Sequence, residues 1–170
     1  WQSRSPATGR FEVFCARNNS GAWTLPEDVS DNSQNHAVHP SLAIAVQGIC
    51  HLVWQEDRGG IFCIRHADRY PNGWSDNLDL TQSDADCRLP HACANRQGYP
   101  QVVWAEGQVV THRIRPPERN ATWWQVESAC DPCGAVSALT AAISAKGVMH
   151  VVWVAYAEGE VRRLQHTHRE

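Results

Sequence analysis

The chain has 170 residues, 42% of them hydrophobic and 19% charged, which is enough apolar content for a packed core and too much for a disordered segment. A formal net charge of -3 with no basic block excludes an electrostatic nucleic-acid binder. Only Lys146 among the 15 basic residues is a lysine, and eight tryptophans in so short a chain require repeated packing positions or a stacking surface.

From the N-terminus, Trp1-Gln2 is followed by "VFCAR" at 13–17 and by Trp23. The next segment, "PSLAIAVQGICHLVWQEDRGGIFCIRHADRYPNGWSDNLDLT", sets short apolar runs between turns of Gly, Asp and Asn. That is the pattern of strands and hairpins. It predicts four strands, at Ser41 to Val46, Ile49 to Gln55, Ile61 to His66 and Gly73 to Leu80, with "EDRGG" as the hairpin turn between the second and third. "GYPQVVWAEG" (98–107) then repeats "GICHLVWQED" (48–57), "VVTHR" (109–113) repeats "IFCIR" (61–65), and Trp124 repeats Trp74. After "CDPC" (130–133), "GVMHVVWVAY" (147–156) starts the pattern again and "VRRLQ" (161–165) weakly continues it.

Trp54, Trp104 and Trp153 recur about 50 residues apart, and Trp1 extends the series backwards. Four short antiparallel strands per such period predict an all-β fold, a β-propeller of four-stranded antiparallel blades, with about three to four blades in this chain. The blades fall at about 1–30 (the C-terminal half of a blade), 38–80, 88–128 and 136–170 (incomplete), in one partial domain. Six or seven blades close a ring, so the chain is expected to be half of one. It is either a piece of a longer propeller or a half that meets a protein partner or second copy, because an open ring exposes sheet edges. The apolar window "GAVSALTAAISAKGVMHVVWVAYA" is broken by Lys146 and His150 and matched by the other repeats, so no transmembrane segment is expected. Seven cysteines point to an oxidising compartment, secreted, periplasmic or at the extracellular surface. Cys87, Cys93, Cys130 and Cys133 are the disulfide candidates, while Cys15 and Cys63 occupy one position in different blades and fill core volume.

The segment "HPSLAIAVQGICHLVWQEDRGGIFCIRHADRYPNGW", from His39 to Trp74, resembles the sialidase-like, BNR-repeat propellers. Between the third and fourth strands "HADRYPNGW" keeps an Asp, the Gly and the Trp of that family's Asp-box, whereas "RPPERNATWW" and "ARNNSGAW" keep little beyond the Trp. The resemblance implies a propeller whose ligands bind in the loops joining fourth to first and second to third strands. A sialidase mechanism would need a tyrosine nucleophile helped by a carboxylate, and Tyr70, Tyr99 and Tyr156 sit in no recognisable motif.

Repetition assigns His51, His150 and the second-strand tryptophans to packing. Arg17, Arg65 and Arg113 end the third strand of successive repeats and are expected to bind carbonyls or turn carboxylates. Ligand-binding candidates are the unrepeated loop residues His36, His39, Glu56, Asp57, Asp86, His91 and Glu106. Trp74 and Trp124 are candidates for stacking sugars. Cys130 and Cys133 with Cys87 and His91 could form a soft metal set, but a structural disulfide is preferred, and no cofactor, metal or catalytic residue is assigned. The function expected is an exported, non-catalytic binding or assembly propeller. The alternatives are a lectin-like propeller or piece of a sialidase-type hydrolase, and an accessory subunit of a membrane-associated complex.

Overall fold

The computed structural model describes residues 1–31, 34–46, 48–82, 84–118, 121–130, 134–156 and 163–169. Every regular element among them is a strand. The first sheet joins β1 (Gln2–Arg4), β2 (Phe11–Cys15) and β5 (Glu27–Asp28), and a small hairpin of β3 (Asn18–Asn19) and β4 (Ala22–Trp23) stands beside it. In the second, β6 (Ala37–Ile44), β7 (Cys50–Asp57), β8 (Phe62–Tyr70) and β10 (Leu78–Asp79) lie in that order, and β9 (Gly73–Trp74) pairs with the far end of β8. The third is β11 (Cys87–Ala94), β12 (Pro100–Glu106), β13 (Val109–Ile114) and β14 (Glu127–Ser128), and the fourth is β15 (Ala135–Ile143), β16 (Met149–Tyr156) and β17 (Arg163–Arg169). All pairings are antiparallel.

The four-strand expectation holds, with three differences of extent. The first strand begins at Ala37 because a β-bulge at His39 lets it bend and continue. The third runs on to Tyr70 and is anchored there by β9. The fourth divides into β9 and β10, since between them Ser75 Oγ accepts the N–H of Asp68 and Asn77 donates to the carbonyls of Val29 and Ser30 in the preceding blade.

The core is three layers between sheets. Val13 and Val29 of the first sheet meet Ala37, Leu52, Trp54 and Ala67 of the second. On the opposite face of the second sheet, Ala43, Val53, Ile64 and Leu80 meet Cys87, Ala92, Val102, Trp104 and Trp123. Cys93, Val103 and Val110 then meet Ala141, Met149, Val151, Trp153 and Ala155 of the fourth. Two-residue alternation does this: Trp54 faces the preceding sheet while Val53 faces the next. Each sheet is therefore covered by its neighbours, the arrangement of propeller blades.

Backbone tethers repeat with the same period. The bulge residues His39 and Leu89 adopt φ of 53° and 57°. Their N–H groups donate to Gln2 Oε1 (2.6 Å) and Gln55 Oε1 (2.9 Å) of the preceding blade. Val13, Ile64 and Val110 each donate N–H to a side chain at one repeated position, Ser30, Thr81 and Cys130.

Candidate functional site

The densest chemistry lies between the second and third sheets, around Asp68 of β8. His51 on β7 stands opposite Asp68 in the register, and its Nδ1 is 2.5 Å from Asp68 Oδ1. His66 Nε2 lies 2.9 Å from that same oxygen. Arg115, just beyond β13, reaches across to Asp68 Oδ2 at 2.7 Å, and the Tyr70 hydroxyl donates to it at 3.0 Å. The edge of Trp123 covers His66 and its ring lies under the Arg115 guanidinium. Asp68, His51, His66 and Arg115 are all at most 2% exposed.

Burial alone would raise the Asp68 carboxyl, but the two imidazoles and the Arg115 charge hold it well below the usual carboxylate range. Burial depresses His66 more than the neighbouring carboxylate raises it, so this imidazole is neutral near pH 7. Both groups are depressed in the folded state, so the unfolded chain binds the extra protons and stability is lost as pH falls. For His66 the loss begins below its ordinary value of 6.5, and for Asp68 below 3.8. The unfolding free energy measured in urea should fall from pH 6.5 toward pH 5 with a slope of up to about 1.4 kcal/mol per pH unit for each such histidine. His66→Gln should flatten that slope, and the depressed His91 supplies part of what remains.

A tyrosine hydrogen-bonded to a carboxylate with an arginine alongside is the chemistry of a nucleophile, but here the group is sealed between two sheets. The donor atoms of His51, His66 and Asp68 lie within 4.8 Å of one another, yet Arg115 already neutralises the carboxylate. A divalent cation would leave uncompensated positive charge in an enclosed site. The arrangement is an interblade clamp. Sequence reasoning assigned His51 to packing, and it is buried between blades with a side-chain carboxylate as its partner. His66 and Arg115 were missed, and Asp68 was read only as the Asp kept from an Asp-box, although "HAD" directly after the repeated "IFCIR" marked a departure from the other blades.

His36, Glu56, Asp57, Asp86 and Glu106 lie at the end of the sheets that carries the β7–β8 and β12–β13 hairpins, whereas His39 and His91, expected in loops, lie within β6 and β11. His36 and Asp86 hold equivalent places, where His36 Nδ1 accepts the N–H of Phe11 (3.1 Å) and Asp86 Oδ1 that of Phe62 (2.9 Å). Asp57 Oδ1 accepts the N–H of Gly60 in the hairpin turn (2.6 Å). Glu56 is buried beside Arg58 (3.6 Å) and Arg65 (3.8 Å), and Glu106 accepts Trp104 Nε1–H (3.1 Å). His91 hydrogen-bonds with the backbone of Ala141 across the blade boundary. His39 and His91 share a cleft of about 290 Å³ with Pro40, Leu89, Pro90 and Leu139.

Arg17 pairs with Glu27 (3.3 Å), Arg65 with Asp79 (2.7 Å), and Arg113 donates to the carbonyls of Trp124 and Leu80. The three end up on the partners expected of them and do not converge. Trp74 is half-buried and donates Nε1–H to Glu27 (2.8 Å). Trp124 is 51% exposed and meets the edge of Tyr99 beside a cleft of about 210 Å³ that Asn95, Gln101 and His112 also line. No disulfide joins two described residues, and Cys133 lies outside them. Burial pushes the Cys63 and Cys93 thiols up to about 11, which keeps them protonated and inert.

No protein-family model and no curated protein matches the sequence. Solved structures do match the fold. A Dyadobacter fermentans protein of unknown function aligns with a TM-score of 0.73 at 10% identity over 99% of this chain and 49% of its own. The intramolecular trans-sialidase from Ruminococcus gnavus, in complex with oseltamivir carboxylate, gives 0.59 at 11% identity over 88% of this chain and 35% of its own. The leech intramolecular trans-sialidase gives 0.57 at 13% identity over 88% and 26%. The fold is that of a sialidase-like β-propeller. The chain spans half or less of the length of these structures.

Proposed function

We propose that this chain is a non-catalytic half-propeller, exported from the cell, that serves as a binding or assembly scaffold and is completed by further blades. The observation that carries this reading is an apolar groove of about 610 Å³ between the first two sheets, lined by Trp1, Phe14, Trp23, Pro40, Leu42 and Leu52. It lies where the repeat would place an inner strand of the first blade. One blade along, β6 itself fills the equivalent place against β11. Leu42, Ile44 and Val46 stand 47%, 64% and 68% exposed beside it, a run that a soluble surface does not tolerate uncovered. The Tyr70 and Asp68 pair being sealed, and the arginines being dispersed, support the absence of hydrolysis. No helix among the described residues is long and apolar enough to cross a membrane, which is compatible with export.

Native mass spectrometry tests the reading. The 170-residue chain alone should self-associate, and Leu42→Arg with Ile44→Arg should leave it monomeric. A wild-type chain that stays monomeric at high concentration, or turnover of a fluorogenic aryl sialoside by the full-length protein, would overturn it. The exposed Trp124 with Tyr99 favours glycan recognition as a second reading, since a flat ring beside amide and imidazole groups suits a sugar face. Trp124→Ala should then abolish binding on a glycan array while changing stability by less than about 0.5 kcal/mol.

A further inference from the structure

One tryptophan position recurs in the first three blades. Where the chain turns back from the third strand, the N–H groups of Thr24, Ser75 and Trp124 donate to the carbonyls of Arg17, Asp68 and Ile114. The residues just before them, Trp23, Trp74 and Trp123, are therefore counterparts, and Trp123 rather than Trp124 is the structural repeat of Trp74. Two of the three enter the boundary with the preceding blade. Trp74 packs against the layer that holds Val29, Leu52 and Ala67 and donates Nε1–H to Glu27 at 2.8 Å. Trp123 is buried in the layer that holds Leu80 and Val102 and meets the His66 ring edge-on, with centroids 5.1 Å apart. Trp23, in the first sheet, stands 71% exposed.

The boundary between the third and fourth sheets repeats the walls around Trp74. Ala129 is the counterpart of Val29 and Leu80, because the three donate N–H to Val110, Val13 and Ile64, one third-strand position. Glu127 stands opposite His112 as Glu27 stands opposite Cys15. Thr167 stands opposite Val151 as Ala67 stands opposite Leu52. These residues, with Met149 and Ser128, surround a cavity of about 250 Å³. The walls that hold an indole at two boundaries thus recur around open space at the third.

We propose that this cavity is a receptor site for one indole side chain. Its bearer is a strand that pairs with β17 as the fourth strand of that blade and belongs to the further blades that complete the ring, so the source of the strand rests on the half-propeller reading. Ala129, Met149 and Val151 offer an apolar floor to the ring. The Glu127 carboxylate accepts the indole N–H, as Glu27 does from Trp74. One tryptophan would then lock the fourth blade onto the third in the way that Trp74 locks the second onto the first.

A ¹⁹F NMR titration with 5-fluoroindole tests the site. It is run on the chain carrying Leu42→Arg and Ile44→Arg, so that the outcome does not depend on self-association through the first-blade groove. The probe should bind saturably and raise the melting temperature. N-Methylation of the probe should weaken binding roughly tenfold, the worth of a hydrogen bond to a charged group. Glu127→Ala should do the same, and Thr167→Phe, which fills the cavity from β17, should abolish binding. The Glu127 side chain is 46% exposed, so its truncation should leave the fold intact, which circular dichroism checks. Absence of saturable binding, or equal binding of the N-methyl probe, would overturn the proposal and leave the half-propeller reading standing. Native mass spectrometry of Thr167→Phe alone should show self-association unchanged. Its loss would make Trp23 of a second copy the occupant and overturn the assignment to a further blade.

Discussion

Arg115→Met should lower the unfolding free energy by about 3–5 kcal/mol, the usual cost of removing one partner from a buried ion pair. Arg115 and Asp68 are each 2% exposed, so loss of the guanidinium strands a carboxylate between sheets where water cannot reach it. His51 and Tyr70 still hydrogen-bond with it, but a hydrogen bond alone does not replace the guanidinium charge. Asp68→Asn should cost a comparable amount by stranding the arginine. The double variant should be markedly more stable than the sum of the two losses implies, because it leaves no buried charge. Chemical denaturation of the four proteins measures that coupling. A coupling below about 0.5 kcal/mol would mean that the clamp contributes nothing of its own to holding the second and third blades together.

The clamp also shows where sequence reading stopped. The repeated tryptophans, the hairpin turns and the alternation of apolar runs with turn residues are local signals, and they sufficed for the strand order and the four-strand repeat. "WQ" at 1–2 and 54–55 was legible as repetition, but its chemistry was not. Each glutamine reaches the bulge of the following blade, 37 and 34 residues away in sequence. Arg115 meets Asp68 across 47 residues, and nothing local to either one announces the pair. Loop candidates such as His36 and Asp86 were chosen because they differ between repeats, yet both hold an equivalent backbone N–H. A carboxylate and an imidazole can each accept that bond, so variation in residue type at one position did not mark variation in structural role.

Trp104→Ala should cost about 3–5 kcal/mol, the range for emptying a large aromatic site in a packed core. The side chain is fully buried and meets Val53, Ile64 and Leu80 of the preceding blade, so the cavity would open between two sheets rather than within one. Trp54 fills the same position one blade earlier, against Val13 and Val29, and its deletion should cost as much. Phenylalanine separates the two. Trp104 donates Nε1–H to Glu106, whereas the buried Nε1 of Trp54 has no partner among the described residues. Replacing Trp54 with phenylalanine removes a polar group left unsatisfied in the fold, which offsets part of the lost contact area. Trp104→Phe loses contact area and a hydrogen bond together. The order of stability in denaturant should therefore be wild type, Trp54→Phe, Trp104→Phe and then either alanine variant. Trp153, whose Nε1 is also without a partner among the described residues, should follow Trp54 rather than Trp104. If Trp54→Phe proved the costlier of the two phenylalanine variants, shape complementarity would outweigh the indole N–H at these positions. The repeated tryptophan would then be held in place by its volume alone.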